Sequence, residues 1–156
     1  MYPHSDLTQK IIAAAIEVHK NLGPGLLEHV YLTCLSWELE SVGLRFQKEL
    51  DVPLIYKGRR INHSFRLDLL VEDLVILELK STETILPVHE AQLLTYLKLT
   101  GKQIGLLINF NVPLLKQGIR RCILDKVNVD PTQGKLGIHR ADRDSENQRT
   151  AAITPF

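Results

Sequence analysis

The chain has 156 residues, 44% of them hydrophobic and 24% charged, which suits one globular domain with its own core and excludes wholesale disorder. Nineteen Lys and Arg against eighteen Asp and Glu leave a formal net charge of +1. A polycation that coats nucleic acid through bulk charge is thereby excluded, and any nucleic-acid site has to be a local patch.

Residues 1–10 lack the basic and apolar segments of a secretion signal, and no apolar run reaches the roughly 18 residues of a membrane span. A soluble cytoplasmic protein without membrane contact is expected. Asp6 and Gln9 have the spacing of a capping box heading a first helix, which carries Leu7, Ile11, Ala14, Ala15 and Val18 and stops at Gly23-Pro24-Gly25. A second helix is predicted over residues 27–42, with Leu27, Tyr31, Cys34, Leu35 and Leu39 inward and Gly43 closing it. Residues 44–56 then read as a strand, bent or at an edge where Pro53 falls, followed by a Lys57-Gly58 turn and a second strand over residues 61–71. Glu72-Asp73 breaks the pattern before a third strand over residues 74–80, apolar enough to be central. A helix over Pro87–Thr100 ends at Gly101, a buried strand spans residues 105–110, and a last helix is expected over residues 114–124.

Residues 1–125 are thus expected to form a single domain, and residues 126–156, polar and punctuated by Gly and Pro, a loosely attached or disordered tail. The successive strands argue for an antiparallel meander, and the helix before the fourth for a parallel crossover. The fold class is α/β in the α+β sense, a mixed sheet with helices on both faces. Cys34 and Cys122 form no CxxC pair and have no His at zinc spacing, so they read as small core residues. Trp37 is expected to pack.

Strand side chains alternate, so Glu78 and Lys80 share one face of a strand that reads as buried. Alone, this spacing reads as a structural salt bridge or a strand end reaching solvent. Asp68 changes that reading, because an aspartate inside the apolar run at residues 65–71 needs a reason. Two carboxylates on neighbouring strands make an oxygen site for a hard divalent cation, and a lysine beside them suits metal-assisted phosphodiester hydrolysis. Register provides a check. A two-residue turn at Glu72-Asp73 sets Asp68 against Leu77 and away from Glu78, so an odd-length turn or a bulge is expected. Gln92 and Tyr96 share a face of the following helix, and Glu28 and Tyr31 one near the start of the second. The plain readings are amphipathic packing for the tyrosines and a favourable first-turn acid for Glu28.

Asp68, then Glu78-Leu79-Lys80, then Gln92-x-x-x-Tyr96 resembles the PD-(D/E)XK nuclease superfamily in its RecB-like branch, whose restriction-endonuclease-like core runs helix, three-stranded meander, helix, strand. Gly25-Leu-Leu-Glu28-His-Val-Tyr31 resembles the signature of the GxxExxY protein family, as do residues 14–19, 86–96 and 105–110, and the resemblance covers roughly residues 7–124. It implies that Asp68, Glu78, the Leu79 carbonyl and Glu28 hold a metal, Mg²⁺ with Mn²⁺ as a substitute. It implies that Lys80 is the catalytic lysine, and that Gln92 and Tyr96 position the lysine, the water or the DNA backbone. The proline of the superfamily's name is here Leu67, at a variable position.

His19 is read as a polar residue at a helix C-terminus rather than a site residue, and His89 as a cap or surface residue on a par with a phosphate contact. His4, His29, His63 and His139 do not gather at metal spacing. Lys57, Arg59 and Arg60, with Arg45, Lys48 and Arg66 near them, make a basic turn for which a solvated hairpin tip is favoured over a phosphate-binding patch. The expected activity is metal-dependent hydrolysis of nucleic-acid phosphodiesters, DNA first. The alternative is a catalytically silent nuclease-fold module that binds or regulates within a protein complex, which the near-neutral charge favours. A strand around residues 45–56 left open at an edge would also allow a homodimer.

Overall fold

The computed structural model describes residues 3–125 and 152–156, the side chains of residues 62–64 excepted. Helices α1 (Ser5–Leu22) and α2 (Glu28–Ser41) precede the long strands β1 (Phe46–Tyr56) and β2 (Arg59–Val71) and the short β3 (Val75–Lys80). Helix α3 (Pro87–Thr100), β4 (Ile104–Asn109), a 3-10 turn at Leu115–Gly118, β5 (Ile119–Ile123) and β6 (Ala152–Pro155) follow. The six strands lie in one sheet in chain order, antiparallel except for the parallel β3–β4 pair that α3 connects.

The helices cover both faces. Ile11, Ala15, Tyr31, Leu35 and Leu39 of α1 and α2 pack on Leu69, Leu77, Leu79 and Leu106. Leu93, Tyr96 and Leu97 of α3 pack on Leu67, Leu70, Ile76 and Leu107. The mixed sheet between two helical layers is the restriction-endonuclease-like architecture expected from the chain. No helix among the described residues is long and apolar enough to cross a membrane.

Several expectations are corrected. Helix α1 begins at Ser5 with His4 as a left-handed N-cap that makes no side-chain bond, so Asp6 sits inside the first turn and no Asp6–Gln9 box forms. Leu27 is the N-cap of α2 and 69% exposed, and Trp37 is 65% exposed instead of packed. The helix expected over residues 114–124 is a 3-10 turn and a strand. Gly118 explains the strand's entry: a Cβ there would stand 2.1 Å from the Asn109 carbonyl oxygen, so only glycine lets the chain pass. Within the expected tail, Ala152–Pro155 pairs with β5 as an ordered edge strand, and Phe156 lies against Arg121 with the guanidinium 5.3 Å from the ring. The rest of that segment, residues 126–151, lies outside the described residues. Both cysteines are unbridged, and burial pushes the Cys122 thiol up to about 11, which suits an inert core residue.

Candidate active site

The β2–β3 turn sets the register on which the site depends. Glu72 and Asp73 both take left-handed backbone angles, φ 52° and 57°. The Leu74 N–H closes the turn on the Val71 carbonyl at 3.0 Å. Arg45 fixes the turn from outside, with its backbone N–H and its guanidinium both bound to the Glu72 carboxylate. Pairing starts at Val71↔Val75, which leaves Leu74 as an extra residue and makes the connection three residues long. Leu70↔Ile76 and Leu69↔Leu77 follow, and the register carries Asp68 opposite Glu78. The odd-length turn anticipated from the sequence is present.

There the ladder ends and side chains replace it. The Asp68 N–H donates to Glu78 Oε1 at 3.1 Å, and the Leu79 N–H donates to Asp68 Oδ2 at 2.7 Å. The strands fork, and each carboxylate satisfies a backbone donor that the neighbouring strand no longer reaches. The second oxygen of each makes no hydrogen bond among the described residues. On the other side of β2, Glu49 takes a left-handed φ of 51° opposite Asp68. Phe46, Leu69 and Val71 pack towards α1 and α2, whereas Leu50, Val52 and Leu67 pack towards α3. Both strands therefore reverse the face they present at the Glu49–Asp68 level.

Glu28 reaches the site from the head of α2, whose position Tyr31 fixes. Tyr31 is fully buried and stacks on Phe110 with ring centroids 4.3 Å apart. Its hydroxyl donates to the Gly23 carbonyl at 2.6 Å and accepts from the Leu26 N–H at 3.2 Å. The Ser81 hydroxyl donates to the Leu26 carbonyl, joining that loop to the end of β3. The result is an open cleft of about 530 Å³, lined by Leu26, Leu27, Glu28, Glu49, Asp68 and Ser81 among others.

Asp68 is largely buried and Glu78 is 3% exposed. Burial is the main reason that the Asp68 carboxyl is raised. The Leu79 N–H and Lys80 oppose the rise, and the charges of Glu28 and Glu49 add to it. Burial, and then the Asp68 charge, push Glu78 up to about 8. Lys80, half-buried at the end of β3, opposes the rise in both carboxyls. Acid thus outweighs cation here, and hard oxygen donors with raised proton affinity suit a divalent cation. The expected ligands do not form a closed cage, because no three His, Cys, Asp or Glu side chains among the described residues converge as a metal set. Asp68 and Glu78 stand together, while Glu28 acts on both through its charge.

The remaining candidates have specific places. Tyr96 is 2% exposed, and its hydroxyl donates to the Arg66 carbonyl at 3.1 Å and accepts from Gln92 Nε2 at 3.2 Å. It therefore ties α3 to β2 two residues before Asp68. His19 contacts the Val112 carbonyl through Nε2 at 2.9 Å. His89 Nδ1 accepts from the Leu86 N–H at 3.0 Å and caps α3. His29 lines the cleft, whereas the His63 side chain and His139 lie outside the described residues.

Two residues of this region escape a reading of the sequence. Glu49 carries no local signal, since its left-handed angle shows only in three dimensions. Asn109 carries one: like Asp68, it is a polar residue in an apolar run. It is 2% exposed, and its side chain accepts from the Thr82 N–H at 3.1 Å and donates to the Thr82 carbonyl at 2.9 Å, fixing the chain just after Lys80.

Comparison with curated proteins and with solved structures yields no match. The family model described as the PD-(D/E)XK nuclease superfamily matches residues 5–122, a span holding both helical layers and all of the acids above. That match covers well over half of the sequence, and the chain belongs to the PD-(D/E)XK nuclease superfamily.

Proposed function

We propose that the chain is a metal-dependent nuclease hydrolysing nucleic-acid phosphodiesters, DNA first, and that it falls in the GxxExxY group of the RecB-like branch. One observation carries this reading: Asp68 stands across from Glu78 where β2 leaves β3, with Lys80 beside them. Asp68 and Glu78 hold the cation, Mg²⁺ or Mn²⁺, with the Leu79 carbonyl and Glu28 as further oxygen donors. Bound there, it supplies charge neutralisation and Lewis-acid polarisation of the scissile phosphate. In the reaction a water oxygen bonds to phosphorus and releases a proton to solvent, the phosphorus–oxygen ester bond breaks with its electron pair going to the leaving oxygen, and that oxygen takes up a proton. The Lys80 ammonium orients that water and stabilises charge growing on the non-bridging oxygens. Gln92 donates from Nε2 to the Tyr96 hydroxyl at 3.2 Å and holds that ring in place. Tyr96 is a positioning residue, holding the Arg66 carbonyl and through it the level of Asp68.

A second reading, the silent module acting in a protein complex, is favoured by the open donor set and the near-neutral charge. Calorimetric titration of Mn²⁺ and Mg²⁺ into wild type and Asp68→Ala, with a DNA and RNA cleavage panel on the same samples, separates the two. Metal binding that vanishes in the variant, accompanied by metal-dependent cutting, supports the nuclease. No metal binding by wild type and no cutting of any probe overturns it in favour of the module.

A further inference from the structure

The β1–β2 hairpin outruns the sheet. The two strands stay paired from Phe46↔Val71 to Tyr56↔Arg59, whereas β2 meets β3 only over residues 69–71. Residues 50–66 therefore form a two-stranded arm beyond the fork, seated on α3 through Leu50 and Val52 at its base. Asp68 and Glu49 lie where the arm leaves the sheet.

Charge is concentrated on this arm. Residues 50–66 hold Lys57, Arg59, Arg60 and Arg66 against Asp51 alone, a net +3 in a chain of net +1, which leaves −2 for the rest. Arg66 pairs with Asp51 at 3.2 Å. None of the ion pairs among the described residues engages the three cations at the tip. The tip is also apolar: Tyr56 is 61% and Ile55 52% exposed, with Arg59 opposite the first and Arg60 opposite the second. Lys57 Nζ lies 5.5 Å from the Tyr56 ring centroid. The tip thus sets an exposed tyrosine and isoleucine directly among its cations. Cations that bind phosphate, around a ring that stacks on a base or sugar, fit a nucleic-acid strand.

We propose that this arm is a nucleic-acid clamp, in which Lys57, Arg59 and Arg60 hold backbone phosphates and Tyr56 lies against a sugar or base of the molecule cut at the arm's base. The inference rests on the nuclease reading and adds to it where the substrate runs. Arg59 is nine residues from Asp68 along β2, or about 30 Å at ~3.3 Å per residue. That corresponds to roughly nine base steps of a duplex at ~3.4 Å each.

The test is fluorescence anisotropy without divalent metal, on a labelled DNA duplex and single strand of about 30 nucleotides, long enough to span the site and the arm. Wild type is compared with the triple variant Lys57→Ala/Arg59→Ala/Arg60→Ala. The variant should bind about tenfold or more weakly, and the slope of log affinity against log salt should fall by about 2 to 3. Arg59→Lys/Arg60→Lys should keep most of the binding, which guards against an unfolded tip. Tyr56→Ala should weaken the single strand more than the duplex. Unchanged affinity and salt slope in the triple variant, or a wild type that binds neither probe, overturns the clamp. Cutting is scored separately with metal. Arm-dependent binding without cutting upholds the clamp and removes the hydrolysis, and cutting with arm-independent binding does the reverse.

Discussion

The two flanks of β3 differ. Towards β4 it is clamped along its whole length, with parallel partners from Val75↔Ile104 to Lys80↔Asn109, and the Phe110 N–H continues the pairing onto the Lys80 carbonyl at 2.9 Å. Towards β2 it is paired only over residues 75–77, and beyond that Asp68 and Glu78 take over the bonds of the missing ladder. One strand thus supplies rigidity on one side and unpaired edge on the other. The opening admits buried carboxylates, and the clamp keeps Lys80 in place beside them.

The largest effect should come from the residue between the flanks. Lys80→Met should lower metal-dependent cutting by about 10²- to 10⁴-fold while the melting temperature moves little. Initial rates and thermal melts on the same preparation would check both halves, and an unchanged rate would remove Lys80 from the chemistry.

The clamped flank is broken by Gly118→Ala, whose Cβ would collide with the Asn109 carbonyl. The expected cost is about 3 kcal/mol, or roughly 6 to 12 °C in melting temperature for a chain of this size. A melt within 2 °C of wild type would contradict the crowding.

The open flank is probed by pH. Asp68 and Glu78 both bind a proton more tightly folded than unfolded, Glu78 with a pKa of about 8. The folded state therefore holds more protons between the ordinary carboxylate range and about 8, and stability of the metal-free protein should fall as pH rises through that window. Glu78→Gln should flatten most of the slope, and melts from pH 5 to 8.5 would read it.

The smallest effect belongs to Tyr96→Phe, which removes the hydroxyl from the Arg66 carbonyl and from Gln92. A loss of about 1 to 2 kcal/mol in denaturant unfolding is expected, with a modest weakening of metal affinity through the shifted base of the arm.

Much of this was legible in the sequence because it rests on period and punctuation. Helix α3 matches its predicted bounds, since Pro87 and Gly101 mark its ends. The acid pair is legible because Asp68 interrupts an apolar run, and an odd-length turn or a bulge because either one lets Asp68 meet Glu78; the structure has the turn. Strand β5 was lost to a competing pattern. Leu115, Ile119 and Cys122 have helical spacing, while Arg120 and Arg121 hide the alternation, although Arg121 is only 8% exposed. Glu49 was out of reach, because Phe46, Leu50 and Val52 keep a single parity in the sequence and change faces only through a backbone angle that the partner strand imposes.

The crossover between β3 and β4 also has a consequence in time. The Asp68–Glu78 contact joins residues 10 apart, whereas the Thr82–Asn109 contact that seats the end of β3 joins residues 27 apart through an intervening helix. The longer closure costs about 0.9 kcal/mol more in chain entropy, and parallel pairings across a crossover form late. Chain closure therefore favours the hairpin that brings the two acids together over the contact that seats the end of β3. Pairing of β2 with β3 should gain hydrogen-exchange protection before pairing of β3 with β4, and pulsed hydrogen exchange during refolding would measure the order.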